Sequence, residues 1–283
     1  MAAPTTRELV ITAGGAASTR AAAGELWRAR EVVRAFAVRS LRIRYRQAAL
    51  GALWALAQPL ALLIPFTVFL RNAGDEGAGG ASHTVSYAAS TLAALVGWQY
   101  LSSAVTAGAG ALVNEAFLVR KTWFPREAPV VAAVGAAGVE LALGLALFAG
   151  VGPLLGARLG PGLAAAPLAA AALAFVALCL AVPLAALNAV FRDVRHALPF
   201  AVLVWLFVSP VAYPLERVSP GRRLLYAALN PAVGPLDALR KSLAHGEWPA
   251  FGPLGASVGV AALLGWGGHA LFRRLAPTLP DVV

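Results

Sequence analysis

Apolar positions along this chain gather into long runs separated by short charged connections. Runs of about 18 to 25 residues with almost no charge predict helices at 52–70, 87–107, 128–151, 163–187, 198–213 and 251–271, a length that crosses a hydrocarbon core of roughly 30 Å. Membrane-spanning strands would instead show about ten alternating residues each, and no such pattern occurs. Lipid leaves a backbone no partner outside its own segment, so the expected fold class is an all-α membrane protein with six transmembrane helices. An even number of spans returns both termini to one side.

Two segments break the pattern. Before the first span, LWRAREVVRAFAVRSLRIRYRQ reads as an amphipathic helix: at about 100° per residue, Leu26, Ala29, Val33, Phe36 and Ala37 share one face. Arg28, Arg39, Arg42 and Arg46 cluster on another. Such a helix lies along a membrane surface with its arginines on lipid phosphates, either as a bare anchor or as an element that meets a partner and a phosphate-bearing substrate. Between the last two spans, residues 214–250 mix apolar positions with Pro231, Gly234 and Pro235, which fits a re-entrant or interfacial helical pair better than a polar loop. The resulting organisation is a loose segment 1–25, an amphipathic helix 26–48 and a transmembrane domain 49–283.

Composition agrees. Of 283 residues 59% are hydrophobic and 13% charged, and the mean hydropathy is +0.73, so water is not the main solvent. The formal charge of +10 suits either nucleic acid or a cytoplasmic excess of Lys and Arg. Position favours the second and leaves no role for nucleic acid: nine basic residues precede residue 47, and with the N-terminus inside, sixteen of the 23 fall on the cytoplasmic side. Both termini are therefore expected in the cytoplasm. The opening residues lack the short charged region and apolar core of a signal peptide, so insertion would use the first span. Cys179, alone of its kind, permits no intrachain disulfide and reads as a small buried hydrophobe.

Candidate chemistry lies mostly in the connections. Between spans two and three, NEAFLVRKTWFPRE gathers Asn114, Glu115, Arg120, Lys121, Trp123 and Arg126 where a minimal turn would suffice, and Pro125 should end a short helix. A short cytoplasmic helix with an aromatic knob can dock on a motor protein; an interfacial Trp anchor is the alternative. Between spans four and five, Arg192, Asp193 and Arg195 stand at the inner surface, where local salt bridging is one reading. Glu140 sits near the middle of span three, where a carboxylate must be paired, protonated or turned to a polar cavity. Trp54, Phe66, Trp98, Tyr100, Trp205, Phe207 and Tyr213 can stack on sugar rings, or else serve as packing and belt residues.

No phosphate-cradling G-x-x-x-x-G-K-[ST] loop is present, nor any Gly-Lys pair, so ATP-driven work would need a second protein. His83, His196, His245 and His269 have no metal-ligand spacing and there is no G-x-S-x-G elbow, so no metal site and no catalytic residues are expected. A lipid-phosphate transferase would want an Asp-rich metal site, which isolated acids such as Asp193 and Asp237 do not make. An ion-driven carrier with Glu140 as proton site would show inverted repeats, and none is visible.

Five blocks, RYRQAALGALWALAQPL at 44–60, LVRKTWFPRE at 118–127, LNAVFRDVRHALPF at 187–200, WLFVSPVAYP at 205–214 and LNPAVGPLDALRKSL at 229–243, together resemble the ABC-2 type permease family, and within it the branch that exports polysaccharides and polyol phosphates such as O-antigen, teichoic acid or galactan. The resemblance implies a homodimeric permease in the bacterial inner membrane, bound to two copies of an ATP-binding cassette subunit that carries the ATP and Mg, and exporting an undecaprenyl-type diphosphate glycan. It implies a gate helix near 26–48, re-entrant outer helices over 215–243 and a coupling helix over 114–125. Partner contacts would fall on Asn114, Glu115, Arg120, Lys121, Trp123, Phe124, Arg192, Asp193 and Arg195. Substrate contacts would fall on Arg42, Arg44, Tyr45, Arg46, Trp98, Tyr100, Trp205 and Tyr213. Export of a drug or small lipid by the same scaffold is the alternative cargo.

Overall fold

The computed structural model describes residues 19–45, 53–70, 80–122 and 124–276, and all regular structure among them is helical. Three helical stretches are long and apolar enough to cross a membrane: α6 (Ala128–Val151), the stretch Pro161–Val190 that contains α7 (Ala166–Val190), and α11 (Phe251–Leu275). The protein is thus a helical membrane protein. The other three predicted spans are also helical, but each departs from a simple apolar rod.

The helix α4 (Gly80–Asn114) runs 35 residues, well beyond the predicted 87–107, and carries Ser, Thr, Gly and Gln along its length. Burial explains this composition: Leu92, Ala93, Ala94, Leu95 and Val96 are at most 2% exposed, so α4 is surrounded by protein rather than lipid. Helices α6 and α7 pack on it, with α3 (Leu53–Pro65) and α10 (Val233–Arg240) at its flanks. At Gly108 a Cβ would stand 2.6 Å from Ala181 Cβ on α7 and 3.1 Å from Val134 Cγ2 on α6, so three helices converge where only hydrogen fits. In lipid, where apolar faces gain little from leaving the solvent, such close backbone approach is a main source of association.

Helix α3 (Leu53–Pro65) holds Pro59 and Pro65 and continues as a wider π turn over Phe66–Leu70, since each proline removes one backbone donor. Helix α8 (Asp193–Val208) starts five residues before the predicted 198 and stops five before 213. Pro210 disfavours helical geometry at Ser209, and Pro214 does the same at Tyr213, so 209–214 leaves the helix. At 16 residues α8 is about 24 Å long. Arg192 therefore stands at the N-cap of α8 and Asp193 in its first turn, not in a free connection, and an acidic residue there suits the helix's positive end.

The amphipathic segment forms α1 (Thr19–Arg28) and α2 (Arg30–Tyr45), joined through Ala29 by continuing helical hydrogen bonds. The helix opens at Thr19 rather than 26 because Ala21, Ala22 and Ala23 are strong helix formers. Leu26, Ala29, Val33, Phe36 and Ala37 turn inward as the pattern predicts, while Arg28, Arg39 and Arg42 are exposed. The inward face rests on α6.

After α8, a turn at Leu215–Arg217 leads to α9 (Pro220–Leu229) and α10 (Val233–Arg240), then a π turn over Lys241–His245 and a left-handed Gly246 at φ 65°. Every residue of α10 is buried, against α4, α7 and α11. Arg240 is only 2% exposed. Its guanidinium donates to the carbonyls of Tyr213 (2.6 Å), Val211 (2.7 Å) and Pro210, satisfying the backbone freed where α8 ends.

Candidate functional site

A stripe of polar residues runs down one face of α4. Gln99, Ser102, Ser103, Thr106, Gly110 and Asn114 recur at three- and four-residue spacing, which places them on one side of a helix. Cavities of about 590, 560 and 270 Å³ follow this stripe, and Thr106 lines all three. Arg44, at the end of α2, lines the two largest; Gln58 of α3, Glu140 of α6 and Pro199 of α8 close the second. The result is a groove between α2–α3 and α8, floored by α4, with polar residues along the α4 floor and apolar ones such as Phe36, Trp54 and Val202 on its walls.

Arg44 dominates its electrostatics. One guanidinium nitrogen donates to Ser103 Oγ at 3.0 Å and also meets Glu140 Oε1 in a close ion pair. Gln99 donates to Gln58 across the same cavity. Glu140 is thus paired and turned to a polar cavity, two of the ways a mid-helix carboxylate is tolerated. The inward turn of Arg44 follows from register, since it lies one helical turn on from Ser40 and two from Ala37 on the buried face.

The end of the groove nearest α5 (Ala116–Lys121) is built differently. Glu115, predicted as a partner contact, is 8% exposed and bridges to Arg39 of α2 at 3.1 Å. Burial pushes its carboxyl above the usual carboxylate range, and the Arg39 charge counters part of that rise. Phe124 is also buried, tilted against Phe36 of α2 with ring centres 5.2 Å apart and with Arg126 over its face. These two contacts tie the α4–α6 connection to α2. Exposed on that connection are Asn114, Phe117, Arg120 and Lys121, with the Lys121 ammonium 4.3 Å from the Phe117 ring centre. Phe117, 65% exposed, projects from this connection and was not singled out from sequence; Trp123 lies outside the described residues.

The remaining predicted residues separate cleanly. Arg42 is exposed beside the groove, Arg195 lines its smallest cavity, and Arg192 and Asp193 are exposed at the start of α8. Arg46 and the Tyr45 side chain lie outside the described residues. Trp98 and Tyr100 are 4% and 2% exposed, in the core rather than on a path. Trp205 packs edge-on against Trp98 with centroids 5.3 Å apart and donates its indole N–H to Asn230 Oδ1 at 2.8 Å. Tyr213 shares a 2.8 Å hydrogen bond with the Tyr226 hydroxyl. Asn230 further binds Ser209 Oγ and the Ala232 N–H, so these aromatics clamp the 209–232 turn. Gln58, Gln99 and Ser103, missed from sequence, were visible as polar residues within otherwise apolar runs.

The membrane-embedded bundle thus carries an arginine-bearing groove along α4 and an exposed short helix, α5, near one end of it. Residues 31–244 match the ABC-2 type transporter family, and the chain belongs to that family. It is also 27% identical over 254 residues to the O-antigen export system permease protein RfbA of Myxococcus xanthus, covering 88% of this chain and 94% of the relative. Family membership implies an ATP-binding cassette partner to supply the energy.

Proposed function

We propose that this chain is the membrane-spanning subunit of an exporter that moves a polysaccharide linked to an undecaprenyl-type diphosphate across the bacterial inner membrane. The observation that carries the reading is the arginine-bearing polar groove along α4, in a chain similar to an O-antigen export permease. Arg44, with exposed Arg42 beside it, meets the diphosphate oxygens, for which a planar guanidinium fork is well shaped. Gln58, Gln99 and Ser103 supply uncharged donors and acceptors for the first sugar.

The chain crosses the membrane six times with both termini cytoplasmic, and α9 and α10 form the re-entrant outer pair. It works as a homodimer with two ATPase subunits. The exposed face of α5, bearing Phe117, Arg120 and Lys121, sits in the ATPase cleft, and Arg192, Asp193 and Arg195 make a second contact. Closure of the ATPases pushes α5, and the Arg39–Glu115 and Phe36–Phe124 contacts pass that push to α2, which carries Arg44.

The test is co-purification of the tagged chain with its ATPase, reconstitution in vesicles, and ATP-dependent delivery of undecaprenyl diphosphate-linked glycan to the outer leaflet. Delivery should fall at least tenfold in F117A/R120E with the complex still assembled. Export of an uncharged drug or lipid with no response to the diphosphate would overturn the cargo, and full delivery by F117A/R120E would overturn the coupling surface.

A further inference from the structure

The groove presents its arginine already occupied. Arg44 is held by Glu140 and by Ser103, and the second Glu140 oxygen, Oε2, is buried with no hydrogen-bond donor on it among the described residues. Gln58 and Gln99 stand on the same cavity wall. Both Arg44 contacts use the one nitrogen Nη1, and a phosphate oxygen that approaches it competes with the carboxylate there. Two anions on one guanidinium repel each other, and water reaches Arg44, 28% exposed, and Glu140, 11% exposed, only in part.

Resting on the export reading above, we propose that Glu140 is an internal stand-in for the cargo's phosphate: it neutralises Arg44 in the empty groove and is displaced when the diphosphate headgroup enters. An unpaired guanidinium inside a membrane protein is costly, so the pair keeps the empty groove stable. A neutral lipid has no charge with which to displace the carboxylate, so the exchange selects anionic headgroups. Once the phosphate moves on, Glu140 recaptures Arg44 and the site is reset. Glu140 acts through Arg44 and is a positioning residue rather than a direct ligand.

The experiment uses the permease–ATPase complex in nanodiscs of zwitterionic phosphatidylethanolamine, titrated with undecaprenyl diphosphate, reading the concentration that half-maximally stimulates ATP hydrolysis. If Glu140 holds Arg44 about nine-tenths of the time, E140Q lowers that concentration about tenfold, because apparent affinity scales with the fraction of competent site. R44Q abolishes stimulation in both backgrounds. E140Q also begins to respond to the singly anionic lipid phosphatidylglycerol. Unchanged half-saturation in E140Q, with R44Q inactive, overturns the exchange and leaves the export reading standing. Stimulation that survives R44Q overturns the arginine subsite. No stimulation of the wild type overturns the diphosphate cargo, and the exchange with it. Should E140Q fail to assemble, E140D is read instead, since it keeps the charge but shortens its reach: tighter half-saturation supports the exchange, and an unchanged value refutes it. A purely structural role for Glu140 lowers thermal stability without moving half-saturation.

Discussion

Replacing Arg240 with Met removes the group that satisfies the Pro210, Val211 and Tyr213 carbonyls just after α8 ends. The guanidinium is 2% exposed and donates to three backbone carbonyls, of Tyr213, Val211 and Pro210. Each buried acceptor stripped of its donor costs roughly 1–3 kcal/mol, and nearby Asp237, 2% exposed, loses a neighbouring positive charge. Part of the sum is recovered as the 209–214 turn relaxes, so the expected loss is about 3–5 kcal/mol, the range for breaking a buried ionic group. At about 2–4 °C per kcal/mol for a chain of this size, the melting temperature falls by on the order of 10 °C. Thermal unfolding of the detergent-solubilised protein, followed by its seven tryptophans, measures it. R240K, which keeps the charge but lacks the planar fork, should lose about half as much. A shift within about 2 °C for R240M would show that the turn does not depend on the guanidinium.

Two further outcomes follow from the same geometry. Trp205→Phe keeps the edge-on contact with Trp98 but loses the hydrogen bond to Asn230, so it should cost about 1–2 kcal/mol of stability with glycan delivery unchanged; a large loss of delivery at wild-type stability would make Trp205 a cargo contact instead. Burial raises the pKa of Glu216, but its hydrogen bond and charge pairing with Lys241 at 2.6 Å outweigh that, and the net shift is downward. A lowered carboxyl stabilises the fold above its ordinary pKa and loses that contribution as pH falls through the lowered one. The melting temperature of E216Q should therefore lie below wild type at pH 7 and converge on it once the pH falls below the ordinary carboxylate range; a gap that persists in strong acid would refute the pairing.

The reach of sequence reading is clearest in α2 and α8. In α2 the inward face came out as the periodicity predicts, because Leu26, Val33 and Phe36 respond to one interface and a 3.6-residue repeat encodes it directly. Helix α8 was misplaced by five residues because hydropathy continues through Ser209–Tyr213, while the backbone follows Pro210 and Pro214. Among the aromatic candidates, Trp54 lines the groove while Trp98 and Tyr100 are buried, and sequence does not separate them. An aromatic ring suits a sugar, a lipid interface or a core equally well, and only the neighbours of Trp98 and Tyr100, which close over them, decide among these.

By itself the sequence determined that this is a helical membrane protein of the ABC-2 type, without a nucleotide loop of its own, and with an amphipathic helix ahead of its first apolar run. Those properties are local or additive, set by hydropathy, periodicity and short motifs. Tertiary structure alone decided that Arg44 meets Glu140 across 96 positions, that Arg39 meets Glu115, and that Arg240 turns inward while Arg42 faces out. A charge is written in the sequence but its partner is not, because pairing across a bundle depends on how helices cross and where glycines such as Gly108 let them approach.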